Sequence, residues 1–136
     1  MTEERVQCAH LEPIPAEECR RLLATHHLGR LAVLVDDAPR IFPVNYGLVD
    51  DGIVFCSGGG NKVEAARRGR VAFEIDDSDP LAHTGWSVVA VGSVRELDQR
   101  AVGRIPVAPW CGGDHEHWLR IDIDEISGRR IVRHIP

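Results

Sequence analysis

The sequence predicts a mainly β fold, an antiparallel barrel with a few short helices, and three observations carry that expectation. About six or seven apolar or alternating runs follow one another along the chain. Most are joined by tight turn chemistry, as at Asp36-Asp37-Ala38-Pro39 and Asp50-Asp51-Gly52. The spacers between them are too short for the crossover helices that a wound parallel sheet needs.

Taken in order, residues 1–12 read as a polar N-terminal arm with little to fix it. Pro15 to His26 reads as a helix, because Cys19, Leu22, Leu23 and His26 fall at helical spacing on one face. On this reading His26 is adjacent to the core and His27 exposed. Gly29 is expected to end the helix. Arg30 to Val35 is a near-continuous apolar run, the pattern of a strand buried on both faces. The strand from about Arg40 to Val49 contains Pro43, which cannot donate a ladder hydrogen bond. It must therefore be edge-like, bulged or locally opened there. Asp50-Asp51-Gly52 joins it to a strand over Ile53 to Ser57.

A helix over Asn61 to about Arg68 follows, with Gly69 as its cap. Arg70 to Asp76 alternates, placing Val71, Phe73 and Ile75 on one face. Asp77 to Thr84 is a loop, and Gly85 to Leu97 a long strand in which Gly92 marks a bulge or barrel corner. Asp98 is placed to cap a short helical turn from Gln99 to Gly103, and Ile105 to His115 is irregular. His117 to Ile123 and Arg129 to Ile135 are the last strands, separated by a Ser127-Gly128 turn. Residues 1–136 form one domain of ordinary size.

The most informative stretch is Ile53 to Val63. A short apolar strand runs into Gly58-Gly59-Gly60, and Asn61-Lys62-Val63-Glu64 then opens a helix with Asn61 as N-cap. Strand, glycine loop and helix start make an anion site, since bare backbone N–H groups and the positive end of the helix dipole converge there. Lys62 adds a formal charge and is the only lysine, against fifteen arginines. The competing reading is a flexible turn beside a solvated surface charge.

Composition narrows the partners. A net charge of −5 argues against nucleic acid and anionic membranes, which need a basic footprint. No apolar run reaches membrane-span length, and Met1-Thr2-Glu3-Glu4-Arg5 lacks a signal-peptide core, so a cytoplasmic location is expected. Cys8, Cys19, Cys56 and Cys111 are widely spaced, and in that compartment they read as reduced packing thiols.

Four segments in this order, Gly29-Arg30-Leu31-Ala32, Pro43-Val44-Asn45-Tyr46, Phe55-Cys56-Ser57 with Lys62, and Gly85-Trp86-Ser87-Val88, resemble the pyridoxamine 5′-phosphate oxidase-like family of flavin-binding split β-barrels. The resemblance runs from about Leu11 to Arg130. It implies a six-stranded antiparallel split barrel that forms a homodimer, with FMN in each of two grooves at the subunit interface. On that basis Pro43, Val44, Asn45 and Tyr46 match the strand whose backbone runs beside the isoalloxazine ring. Phe55, Cys56 and Ser57 match the facing strand, with Ser57 near the ribityl–phosphate region. Lys62, beside Asn61, matches the phosphate lysine. Trp86 and Ser87 match the segment lent by the partner subunit, and Trp110 a further contact near the ring. Such sharing suits a chain too small to enclose the cofactor alone.

The sequence also departs from the enzymes that oxidise vitamin B6. The second phosphate arginine is not evident, and Arg67 and Arg68 on the helix beyond Lys62 have no assigned role. The arginine–histidine set that grips their substrate has no counterpart. The expected activity is therefore hydride or electron transfer between flavin and an unidentified small molecule, with the flavin carrying the chemistry. Arg30 or Arg40 could stabilise the reduced ring if either points into the groove. A deazaflavin coenzyme is the alternative cofactor on this fold, haem is a rarer one, and a non-catalytic flavin carrier remains a third reading. Cys111, Asp114, His115 and His117 are zinc-type residues, but their spacing matches no standard structural site, so no metal is expected.

Overall fold

The computed structural model describes residues 9–58, 61–98 and 116–133. In chain order the elements are β1 (Ala9–Ile14), α1 (Ala16–Leu23), β2 (Leu28–Val35), β3 (Ala38–Val49), β4 (Gly52–Gly58), α2 (Asn61–Arg68), β5 (Arg70–Asp79), β6 (Thr84–Glu96) and β7 (Glu116–Arg133). All strand pairings are antiparallel, in the order β1-β7-β4-β3-β2-β5-β6, and β6 also pairs with β7. That last pairing closes a six-stranded barrel from β7 through β4, β3, β2, β5 and β6. The seventh strand, β1, lies on β7 beyond the end of β4, with Ala9 opposite Arg133 and Ile14 opposite Gly128.

Two-residue turns set the register of the first hairpins. Asp36 and Asp37 have φ of 51° and 64°, and Asp50 and Asp51 have 43° and 64°. Positive φ at both central residues is the type I′ geometry, whose twist matches that of the strands it joins. Phe55, Phe73, Ile53, Ile75, Leu31, Val88 and Ile121 fill the interior. Helix α1 seals one part of the barrel with Cys19 and Leu23, and α2 packs against β2, β5 and β6 with Ala66 buried beneath it.

Several expectations hold. Val71, Phe73 and Ile75 all face the core, α2 ends at the predicted Arg68, and the register shifts between Val91 and Gly92. Gly92 admits no side chain, since a Cβ would stand 2.0 Å from the Asp122 carbonyl oxygen. At Pro43 the strand is paired on one side only, with Arg30 of β2.

Others need correction. Residues 9–12 are not a loose arm but part of β1, because β7 extends far enough to offer them an edge. The two C-terminal strands are one, β7, with no turn at Ser127-Gly128. There the glycine serves a close approach, since a Cβ would come within 2.6 Å of Cys19 Sγ on α1. Helix α1 ends at Leu23 rather than His26, and Gly29 lies inside β2. A Cβ on Gly29 would meet Phe73 Cζ at 2.2 Å. Helix α2 starts at Asn61 itself, one residue earlier than an N-cap there implies. Gly69 follows it without a left-handed φ. Finally, β2 is buried on one face only. Leu31 and Val33 point inward, while Leu28 and Leu34 are 60% and 64% exposed. The predicted helical turn at 99–103 and the irregular stretch 105–115 lie outside the described residues.

Candidate functional site

The barrel is open along one seam. β3 and β4 pair only from Tyr46–Phe55 to Val49–Gly52. Beyond Tyr46 towards the N-terminus, β3 stays with β2, from Asn45–Leu28 to Ala38–Val35. Beyond Phe55, β4 stays with β7, in the pairs Cys56–Trp118, Ser57–His117 and Gly58–Glu116. Two strands that begin as neighbours thus part company, and the helix α2 follows directly from the β4 side of the split.

His27 holds one lip in place. Its carbonyl accepts the Tyr46 backbone N–H at 2.9 Å and Asn45 Nδ2 at 2.7 Å. Backbone groups alternate in direction along an antiparallel strand. With the Tyr46 N–H turned towards β2, the Pro43 nitrogen faces the split. No ladder donor is needed there, so proline is tolerated.

The side chains sort by face. Val44, Tyr46 and Phe55 point into the core, at 6%, 1% and 0% exposure. Tyr46 stacks edge-on against Phe73 at 4.9 Å and donates its hydroxyl proton to the Leu23 carbonyl. Their side chains are therefore closed to the split, and by the alternation above the backbone groups of Val44 and Tyr46 turn towards β2. Pro43 and Asn45 point the other way. Ser57 is the one buried polar residue in the described chain, and its hydroxyl contacts the Gly58 carbonyl oxygen at 3.1 Å. Cys56 is disulfide-bonded, so the expectation of reduced thiols holds, among the described residues, for Cys19 alone. Burial pushes the Cys19 thiol up, and Glu18 adds to the effect. The glycines at 59 and 60, the side chains of Asn61 and Lys62, and Trp110 lie outside the described residues.

Trp86 and Ser87 are elsewhere. Ser57 pairs with His117 at one end of β7, whereas Ser87 pairs with Arg129 near the other. The separation is roughly 40 Å of extended chain at about 3.3 Å per residue. Trp86 packs edge-on against His26 at 5.2 Å and walls a cavity of about 500 Å³ that includes Thr84, Arg130 and Ile131. This cavity is not at the split. One subunit does not bring the two halves of the expected site together.

The outer surface beside the split carries a charge group that sequence reading missed. Arg30 lies opposite Pro43 on one side and Glu74 on the other. Its guanidinium reaches Glu74 Oε1 at 2.8 Å and Asp76 Oδ2 at 3.4 Å. Strand alternation alone puts Glu74 and Asp76 on the outward face, but only the β2–β5 register reveals that Arg30 lies between them. Arg30 is thus engaged by carboxylates on that face. The two arginines beyond Lys62 differ from one another. Arg67 lies 3.4 Å from Glu96 and 3.7 Å from Glu64, and Arg68 borders a surface groove with Leu34 and Asp36.

The family profile described as pyridoxamine 5′-phosphate oxidase matches residues 15–130, which contain the closed barrel's first five strands, the split and most of β7. The chain belongs to the pyridoxamine 5′-phosphate oxidase family. An uncharacterized protein of Mycobacterium tuberculosis is 34% identical over 125 residues, covering 85% of this chain and 82% of that protein. The structure of the FAD-binding protein from Mycobacterium smegmatis matches with a TM-score of 0.73 at 35% identity, covering 88% of this chain and 98% of that one. An FAD-binding protein from Mesorhizobium loti shares the fold at 23% identity, with a TM-score of 0.74 over 92% and 99% of the two chains.

Within this family frame the remaining candidates can be placed. Of the zinc-type residues, Cys111, Asp114 and His115 lie outside the described residues, and His117 sits 3.3 Å from Glu96. No described helix is long and apolar enough to cross a membrane.

Proposed function

We propose that the protein is a flavin-dependent oxidoreductase that works as a homodimer, binding FMN at the split and moving electrons between it and a small molecule. The observation that carries this reading is the parting of β3 and β4 at Tyr46–Phe55. It exposes backbone edges on two lips, with a buried serine hydroxyl and a helix start beyond them. That donor set fits a flat ring with a polar edge and an anionic tail. Backbone groups near Pro43 and Asn45 would meet the ring, Ser57 the chain that follows it, and the Gly58–Lys62 segment the phosphate. When bound, the flavin supplies the two-electron chemistry, and the protein orients it and limits access of water.

The second subunit enters because Trp86 and Ser87 lie so far from Ser57 within one chain. In a symmetric pair each copy can supply its Trp86–Ser87 segment to the other's split. FAD is the second reading, favoured by the description of the Mycobacterium smegmatis protein as FAD-binding. Titration of the purified protein with FMN, FAD and a deazaflavin coenzyme, followed by flavin fluorescence, separates these. Saturation at one FMN per subunit, with weaker FAD and deazaflavin binding, is expected. Absence of binding by all three would overturn the reading. A screen of nicotinamide cofactors as reductants of the bound flavin then tests turnover.

A further inference from the structure

Cys56 sits on the β4 lip of the split, and it is disulfide-bonded. The chain has four cysteines, Cys8, Cys19, Cys56 and Cys111. Cys19 is free and wholly buried. The bond therefore goes to Cys8 or to Cys111, both outside the described residues. Register separates the two. Cys8 is joined to Ala9, which faces Arg133, whereas Cys56 faces Trp118. Those two positions on β7 are separated by roughly 50 Å of extended strand at about 3.3 Å per residue. Bonded cysteines have Cα atoms about 4–7 Å apart, so Cys8 is out of reach. Cys111 precedes Glu116 by five residues, a span of up to about 17 Å. Glu116 is paired with Gly58, two residues from Cys56.

We propose that Cys56 is bonded to Cys111 and that this bond, opened and closed by thiol exchange, sets the affinity of the split for flavin. The pairing stands on the register and the cysteine count alone, and the coupling rests on the flavin reading above. Cys56, Ser57 and Gly58 lie beyond the reach of β3 and pair only with Trp118, His117 and Glu116, the first residues of β7. On the other side of β7 the Leu97 N–H donates to the Trp118 carbonyl at 2.8 Å, and no described ladder pair lies beyond it. The last pairs of β4 and the first of β7 thus support one another, and strand-end pairs of this kind open at little cost. A covalent link from Cys56 to the chain entering β7 removes that freedom. With the link in place, the lip that carries Ser57 is ordered before flavin arrives. Without it, binding must order the lip, and affinity falls.

Opening the bond takes two electrons and two protons from a dithiol, which leaves thiols on Cys56 and Cys111 and the reductant as a disulfide. Oxidised glutathione, an organic disulfide, restores the bond and leaves as two glutathione thiols. Cys56 is half-buried and open to exchange, whereas Cys19 is sealed. Peptide mapping of the full chain, alkylated without reductant, should yield a Cys56–Cys111 crosslinked peptide. The Kd for FMN, read by flavin fluorescence, should rise about 5–150-fold when the wild type is reduced with dithiothreitol. By reciprocity, saturating FMN should lower the reduction potential of the disulfide by about 30 mV per tenfold of that change. Cys111→Ser should bind FMN as the reduced wild type does in any glutathione buffer, and Cys8→Ser should keep the full redox response. A Cys56–Cys8 peptide, or free thiols at Cys56 and Cys111 after equilibration with oxidised glutathione, would overturn the pairing. An FMN Kd equal in the two redox states, with circular dichroism showing native folds, would overturn the coupling and leave flavin binding standing. No FMN binding in either state would overturn the flavin reading and the coupling together.

Discussion

The Tyr46 hydroxyl donates to the Leu23 carbonyl at 2.5 Å, so the last residue of α1 is fastened to β3 at the point where the barrel splits. This bond spans two requirements. It satisfies a helix-end carbonyl that has no partner within the helix, and it keeps a buried phenol from going unpaired. Because Tyr46 also packs on Phe73, the bond transmits order from helix to core to lip.

Tyr46→Phe is expected to lower stability by about 1–2 kcal/mol, measured by urea unfolding, since it removes one buried hydrogen bond and leaves the Leu23 carbonyl unpaired. The same residue has a pH signature. Burial pushes the Tyr46 phenol well above its usual range. The raised folded-state value means its contribution is fully present below about pH 10. Above that the unfolded chain releases the proton first and stability falls, at up to about 1.4 kcal/mol per pH unit. The phenylalanine variant should lack that component.

Gly29→Ala is expected to destabilise the barrel by about 1–3 kcal/mol. The new Cβ would collide with Phe73, which is fully buried and held against Tyr46, so the ring has nowhere to go. Gly69→Ala is the matched control. It has open space around it and no left-handed φ, so it should be neutral or stabilising by up to ~1 kcal/mol. Thermal unfolding of the two variants side by side gives the comparison.

Asp37→Gly should stabilise by ~0.5–1 kcal/mol. Asp37 sits at φ 64° in the β2–β3 turn, a conformation that glycine adopts without the crowding a Cβ brings. The gain is read as a higher midpoint in urea.

Lys62→Ala should weaken FMN binding roughly 10–150-fold, the equivalent of about 1.5–3 kcal/mol for a charged hydrogen bond. Arg21→Ala, on the exposed side of α1 with only a long contact to Glu17, is the control and should leave affinity unchanged. Equal effects in the two variants would remove Lys62 from the phosphate site.

Glycine shows where local reading stops. Gly92 was legible as a bulge because it interrupts a valine-rich strand. Gly29 and Gly128 read equally well as a helix end and a turn, yet each is glycine because a side chain from elsewhere crosses above it. Nothing near them in sequence names Phe73 or Cys19. Pro43 was more informative, since a missing N–H must fall where no neighbouring strand needs one, and that place is the split.

The succession of strands from β2 to β6, the two aspartate turns among them, the alternation that aims Phe73 and Ile75 inward, the opening at Pro43 and the helix after Gly58 were set by the sequence alone. All of these depend on interactions within a few residues. Closure of β6 on β7, capture of β1 by β7, the distance between Trp86 and Ser57, and the meeting of Arg30 with Glu74 and Asp76 were decided by the tertiary structure. Each is a pairing between distant strands, and a pattern of period two specifies which face a residue takes but not which strand comes to lie beside it.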